Sequence, residues 1–133
     1  MIVVDTNILA YRLLPGTASE SVDRLLAAEP EWAAPLLRRS EFRNVLAGLI
    51  RSGKVTVADS EVILRRAQLC LTGGEHVVSD EAVLRLVALS RCSAYDCEFV
   101  ALAQALQTQL VTADRLLLTS FPATCRRLED FPH

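Results

Sequence analysis

"IVVDTNILA", residues 2–10, runs three β-branched residues into a carboxylate and then into a helical pattern. Ile2, Val3 and Val4 are apolar on both faces, which predicts a short strand buried in a parallel sheet. Thr6 to Leu14 predicts a helix capped by Asp5 or Thr6 and stopped by Pro15-Gly16. The charge of Asp5 therefore falls at the carboxyl end of a strand, where sites gather in open parallel sheets.

Downstream the alternation continues. Ser19 opens a helix to Ala28, with Val22, Leu25 and Leu26 on one face. Trp32 to Ala34 follows as a strand. Pro35 suits the first turn of a third helix, which carries Phe42, Val45, Leu46, Leu49 and Ile50 inward and stops at Gly53. Val57 to Leu71 predicts a fourth helix, ended by Gly73-Gly74, and His76 to Val78 a strand. Ser79 caps a fifth helix with Val83, Leu86, Val87 and Leu89 as its apolar set. Tyr95 to Leu106 predicts a sixth helix, Leu110 to Thr112 a strand, and Asp114 opens a short helix from Arg115 to Ser120. The tail from Phe121 has no clear pattern. Short strands separated by helices predict an α/β sandwich with a mainly parallel sheet. No repeat or linker divides residues 1–133, so one domain is expected.

Composition narrows the function. Hydrophobic residues make up 51% of the 133, enough for a real core and for a buried partner surface. No apolar run approaches the ~18 residues of a membrane span. Asp5 interrupts the N-terminal apolar run, so a signal peptide is not expected and the cytoplasm is the expected compartment. A net charge of −2 argues against a broad basic surface, although 14 basic residues include a single lysine, Lys54. Arginine suits bidentate phosphate contacts. Cys70, Cys92, Cys97 and Cys125 form no C-x-x-C pair, and the histidines are His76 and His133 alone. Neither a zinc site nor a histidine-based triad is supported, and the cysteines read as small buried thiols.

Four acids stand apart from the rest. Asp5 and Asp114 each follow an apolar strand and should share one sheet edge. Asp96 lies in the first turn of the sixth helix. Glu41 shares a helical stripe with Leu37 and Val45, which places it at a core boundary. Each aspartate alone reads as a helix cap, and Glu41 alone as a solvated residue. Together they would repel, and their pKa values would rise unless a divalent cation joined them. Carboxylate oxygens select Mg²⁺ or Mn²⁺. Glu98, two residues from Asp96, lies about 200° away around a helix and reads as surface.

"VVDTNILA", "SEFRNVL", "AYDCEFVALA" and "LVTAD" resemble, in order and spacing, the acidic motifs of the PIN domain, nearest to those of VapC-type toxins of bacterial toxin–antitoxin pairs. The resemblance spans essentially the whole chain. It implies a three-layer α/β/α sandwich and an Mg²⁺- or Mn²⁺-dependent ribonuclease. Under it Asp5, Glu41, Asp96 and Asp114 are the catalytic, metal-binding acids, Asn7 supports the first aspartate, and Thr112 is the hydroxyl two positions before the last. It also implies an RNA substrate, a homodimer, and a cognate antitoxin whose segment can occupy the acidic groove. Arg38, Arg39, Arg43 and Arg115 lie close in sequence to these acids and are candidate contacts to RNA phosphate, or solvated helix charges. Tyr95 either stacks a base or packs in the core.

Other readings fit less well. A phosphoacceptor receiver domain needs an acidic pair after its first strand and a late lysine. A haloacid-dehalogenase-like phosphatase needs D-x-D where this chain has "DTN". A PIN-like module that binds RNA or an antitoxin without cutting remains the main rival, and it has no use for four acids.

Overall fold

A computed structural model describes residues 1–14 and 19–131. The expected Pro15-Gly16 stop lies outside the described residues. The elements run β1 (Ile2–Val4), α1 (Thr6–Leu13), α2 (Ser19–Ala28), β2 (Trp32–Pro35), α3 (Arg38–Arg51), α4 (Val57–Cys70), β3 (Gly74–His76), α5 (Asp80–Ala88), α6 (Ala94–Ala105), β4 (Leu110–Val111), α7 (Arg115–Ser120) and β5 (Cys125–Arg126), with a 3₁₀ turn at Leu128–Asp130.

The five strands form one sheet in the order β3-β2-β1-β4-β5, and every pairing is parallel. Side chains alternate across a strand, so β1 feeds two cores. Ile2 and Val4 pack with α1–α4 through Ile8, Leu25, Phe42 and Ala67. Val3 packs on the other face with α5–α7 through Val83, Phe99 and Leu117. The chain is thus a three-layer α/β/α sandwich. The sheet grows outward from β1 through β2 to β3, then resumes on the other side with β4. Between β1 and β4 the winding reverses, and the crevice beyond their carboxyl ends is where such sheets bind ligands.

Three local expectations are corrected, and one unread segment is filled in. Pro35 closes β2 rather than opening a helix. It sits opposite His76, and the ladder continues with Leu36 N–H donating to the His76 carbonyl. Proline's fixed φ suits an extended strand end as well as a first turn. The strand predicted at His76–Val78 lies at Gly74–His76, because β2 ends at Pro35 and leaves Val77 and Val78 no strand to pair with. Val77 is 83% exposed. Leu89 caps the end of α5 and is exposed rather than packed. In the tail, β5 adds a strand beside β4.

Gly73 is required by crowding. A Cβ there would meet the Trp32 carbonyl oxygen and the Met1 sulfur at 3.0 Å. Its own N–H donates to that carbonyl at 2.9 Å and leads the chain into β3. Among the described residues no helix is long and apolar enough to cross a membrane.

Candidate functional site

A cleft of about 250 Å³ opens at the carboxyl edge of the sheet, lined by Asp5, Thr6, Asn7, Glu41, Asn44, Val45, Asp96 and Asp114. All four predicted acids line it. Each arrives on a different element. Asp5 leaves β1, Asp114 follows β4, Glu41 lies on α3 in one helical layer, and Asp96 lies on α6 in the other.

Asp5 uses both carboxylate oxygens. Oδ1 accepts from the Thr6 N–H at 2.7 Å, and Oδ2 from the Thr112 hydroxyl at 2.7 Å. Asp5 is therefore a helix cap and a cleft residue at once. Thr112 is fully buried, and its Oγ1 also accepts from the Asp114 N–H at 3.0 Å. One hydroxyl thus ties together the turns after β1 and β4. Asp114 caps α7, its Oδ1 accepting from the Leu117 N–H at 3.0 Å. Asp96 follows the N-cap Ser93, whose hydroxyl accepts from the Asp96 N–H at 3.1 Å and also bonds the carboxylate, pulling its pKa down against burial. Asn7 lies exposed at the rim.

Thr6 was not foreseen from the sequence. Its buried hydroxyl donates to Glu41 Oε1 at 2.7 Å and aims that carboxylate across the interface between α1 and α3. A threonine beside a lead aspartate gives no sequence signal of a partner 35 residues away.

The electrostatics are those of crowded like charge. Burial pushes the Asp5 carboxyl up, the bonds from Thr112 and Thr6 pull it back, and the charges of Asp96 and Asp114 raise it further. Glu41 is raised by burial, lowered by the Thr6 bond, and raised by Asp5, Asp96 and Glu98. Asp96 is raised by burial and then by Asp114. Among the described residues none of the four acids has an ion-pair partner.

Whether a cation fits is decided by that imbalance. No three His, Cys, Asp or Glu side chains among the described residues form a ready-made cage. The acids instead ring a cleft with negative charge that no ion pair compensates among the described residues. Mg²⁺ retains several waters and takes one or two direct carboxylates, so a roomy acidic cleft fits a hydrated ion better than a tight cage does.

A pH prediction arises here. Asp5, Glu41 and Asp96 all titrate higher in the folded chain than their ordinary values of 3.8 and 4.5. The folded state therefore binds the extra protons, and linkage makes their contribution to stability fall as pH rises through the folded values. Glu75, held low, acts oppositely and only below its ordinary 4.5. Without divalent ions, denaturant midpoints are expected to be lower at pH 8 than at about pH 4.5, the ordinary range of these groups, and Mg²⁺ should restore the loss at pH 8. Midpoints that respond to neither pH nor Mg²⁺ would remove the repulsion described above.

The arginines separate. Arg38, expected as a phosphate contact or a solvated helix charge, is neither exposed nor free: it is 2% exposed and ion-paired to Glu75 at 2.6 Å. It shares the inward stripe of α3 with Phe42 and Leu46. Arg39 also grips Glu75, with Nη2 at 2.6 Å from Oε1 and Nε at 3.0 Å from Oε2. Arg39 and Arg43 are each two residues from Glu41, about 200° around the helix, so they lie on the flank away from the cleft. Arg115 is exposed at the start of α7, beside Asp114. Tyr95 is 65% exposed, which excludes core packing. Glu98 is half-buried rather than a free surface residue. It lines a neighbouring groove with Tyr95, and its charge reaches Glu41.

The chain matches the PIN domain family over residues 2–118. No curated protein sequence matches it. Similar solved structures include PAE2754 from Pyrobaculum aerophilum, 22% identical with a TM-score of 0.74, over 96% of this chain and 83% of that one. FitAcB from Neisseria gonorrhoeae is 16% identical with a TM-score of 0.76, over 98% and 100%. A toxin-antitoxin complex from Klebsiella pneumoniae is 21% identical with a TM-score of 0.62, over 96% and 98%. At such identities the likeness speaks for the fold.

Proposed function

Because the chain belongs to the PIN domain family, we propose that it is a metal-dependent ribonuclease that hydrolyses RNA phosphodiester bonds, and that it is the VapC-type toxin of a toxin–antitoxin pair. The observation that carries the activity is the cleft ringed by four carboxylates from four elements, with no cationic side chain paired to them among the described residues. The toxin reading rests on the motif resemblance. It is supported by one structural relative, the Klebsiella toxin-antitoxin complex.

Asp5, Asp96 and Glu41 would hold the principal Mg²⁺ or Mn²⁺, and Asp114 would complete the cluster. When bound, the ion polarises the phosphate, activates water and neutralises the leaving oxygen. The chain's own residues supply the placement. Thr112 fixes Asp5 against the turn that carries Asp114, Thr6 fixes Glu41, and Asn7 stands at the rim where the substrate enters. Arg115 can contact an RNA phosphate beside Asp114. The cytoplasm is the proposed compartment. A cognate antitoxin and a second copy of the chain are the proposed partners, for which exposed apolar residues such as Val77, Leu84 and Leu89 offer surface.

The direct test is cleavage of a mixed RNA pool by the purified chain with Mg²⁺, with Mn²⁺, and with chelator. Cleavage that needs the ion is expected. Equal traces of cleavage in all three sink the nuclease reading and favour a module that binds RNA or antitoxin without cutting.

A further inference from the structure

The flank of α3 turned away from the acids carries a concentration of the opposite charge. A cavity of about 110 Å³ lies between α3 and α4, lined by Arg38, Arg39, Arg43, Leu64 and Gln68. Only one carboxylate, Glu75, is ion-paired to these three guanidiniums among the described residues. Its oxygens are taken by Arg39 Nε and Nη2 and by Arg38 Nη2. Arg43 has neither an ion pair nor a hydrogen bond there among the described residues. Arg38 is 2% exposed, and its Nε is a buried donor with no acceptor. A buried donor left unpaired in a native structure calls for an explanation such as a bound water or ion.

We propose that this cavity binds one phosphate group, either free inorganic phosphate or the terminal phosphate of an RNA strand. Three cations less one carboxylate leave two positive charges, close to the charge of about −1.5 to −2 on a phosphate monoester near neutral pH. Guanidinium forks match the oxygens of a tetrahedral oxyanion, and the Gln68 amide adds further donors. A cavity of about 110 Å³ has room for a phosphate group. The site lies outside the acidic cleft, so it stands or falls independently of the nuclease reading.

The test is a titration of the full chain with inorganic phosphate at constant ionic strength, followed by amide chemical shifts. Saturable shifts confined to the facing parts of α3 and α4 are expected. Arg43→Ala should weaken binding about tenfold, the loss of one or two hydrogen bonds to a charged group. Arg43→Lys should retain part of the affinity. Arg38 is left intact because it belongs to the core. Two 2′-O-methyl RNA oligomers, with and without a 5′-phosphate, separate the sources. Tighter binding of the phosphorylated one assigns the site to an RNA end, and equal binding assigns it to the free ion. Shifts reproduced by chloride, or native affinity in both Arg43→Ala and Gln68→Leu, overturn the proposal and leave water as the partner of Arg38 Nε.

Discussion

Asp96→Asn is expected to abolish measurable ion-dependent RNA cleavage while leaving the fold intact. The two halves of that expectation have separate causes. The Asp96 carboxylate makes no ion pair among the described residues, its hydrogen-bond partner is the neutral Ser93 hydroxyl, and α6 is capped by Ser93 through the Asp96 backbone. Asparagine keeps that cap and removes only the charge. The missing charge is one of four that would hold the cation, and metal catalysis is worth several kcal/mol of transition-state stabilisation. A loss on the order of 10³-fold follows, at about 1.4 kcal/mol per tenfold. Removing it also relieves repulsion on Asp5 and Glu41, so the denaturant midpoint without Mg²⁺ should hold or rise. Mg²⁺ should then add less stability than it adds to the native chain. Asp5→Asn would read less cleanly, because Asp5 also caps α1 and takes the Thr112 hydroxyl. A variant at Asp96 that cleaves as well as the native chain removes Asp96 from the site.

Glu75→Ala is expected to cost about 3–5 kcal/mol of stability, the effect of stranding a buried charge. Arg38 is 3% exposed in its side chain and Glu75 9%, at 2.6 Å. With Glu75 gone, the buried guanidinium keeps its desolvation cost and loses its partner. Arg39 pairs with the same carboxylate, but its side chain is 44% exposed. Arg39→Ala should therefore change stability by no more than about 1 kcal/mol. Replacing both members of the buried pair, Arg38→Met with Glu75→Leu, should recover most of the loss, since apolar replacements of such pairs are often neutral. Urea unfolding of the three variants measures all of this. If Glu75→Ala costs no more than Arg39→Ala, the pair is not buried in solution.

Much of this was legible along the chain. The apolar run of Ile2–Val4 ending in Asp5 indicated a parallel strand delivering a carboxylate to a sheet edge, and β1 is that strand. Glu41 could be placed at a core boundary because its spacing from Leu37 and Val45 fixes its side of the helix. The same rule could have placed Arg38. It lies four residues before Phe42, on the inward stripe, yet an arginine there reads as solvated until Glu75 on an adjacent strand is known. Pro35 and the position of β3 were misread because proline and glycine punctuate strands and helices alike. Which one they end depends on the neighbouring strand.

Local pattern determined most of the helices, the caps at Asp5, Ser79 and Asp114, and which four acids stand apart, because periodicity and capping act within a few residues of chain. What only the tertiary structure decided is who meets whom. Thr6 holds Glu41, Thr112 joins Asp5 to the turn before α7, and Glu75 divides itself between a buried and an exposed arginine. These contacts join residues 35 to 107 positions apart. They exist because the parallel sheet sets β1 between β2 and β4, a placement fixed by burying both faces of β1 at once.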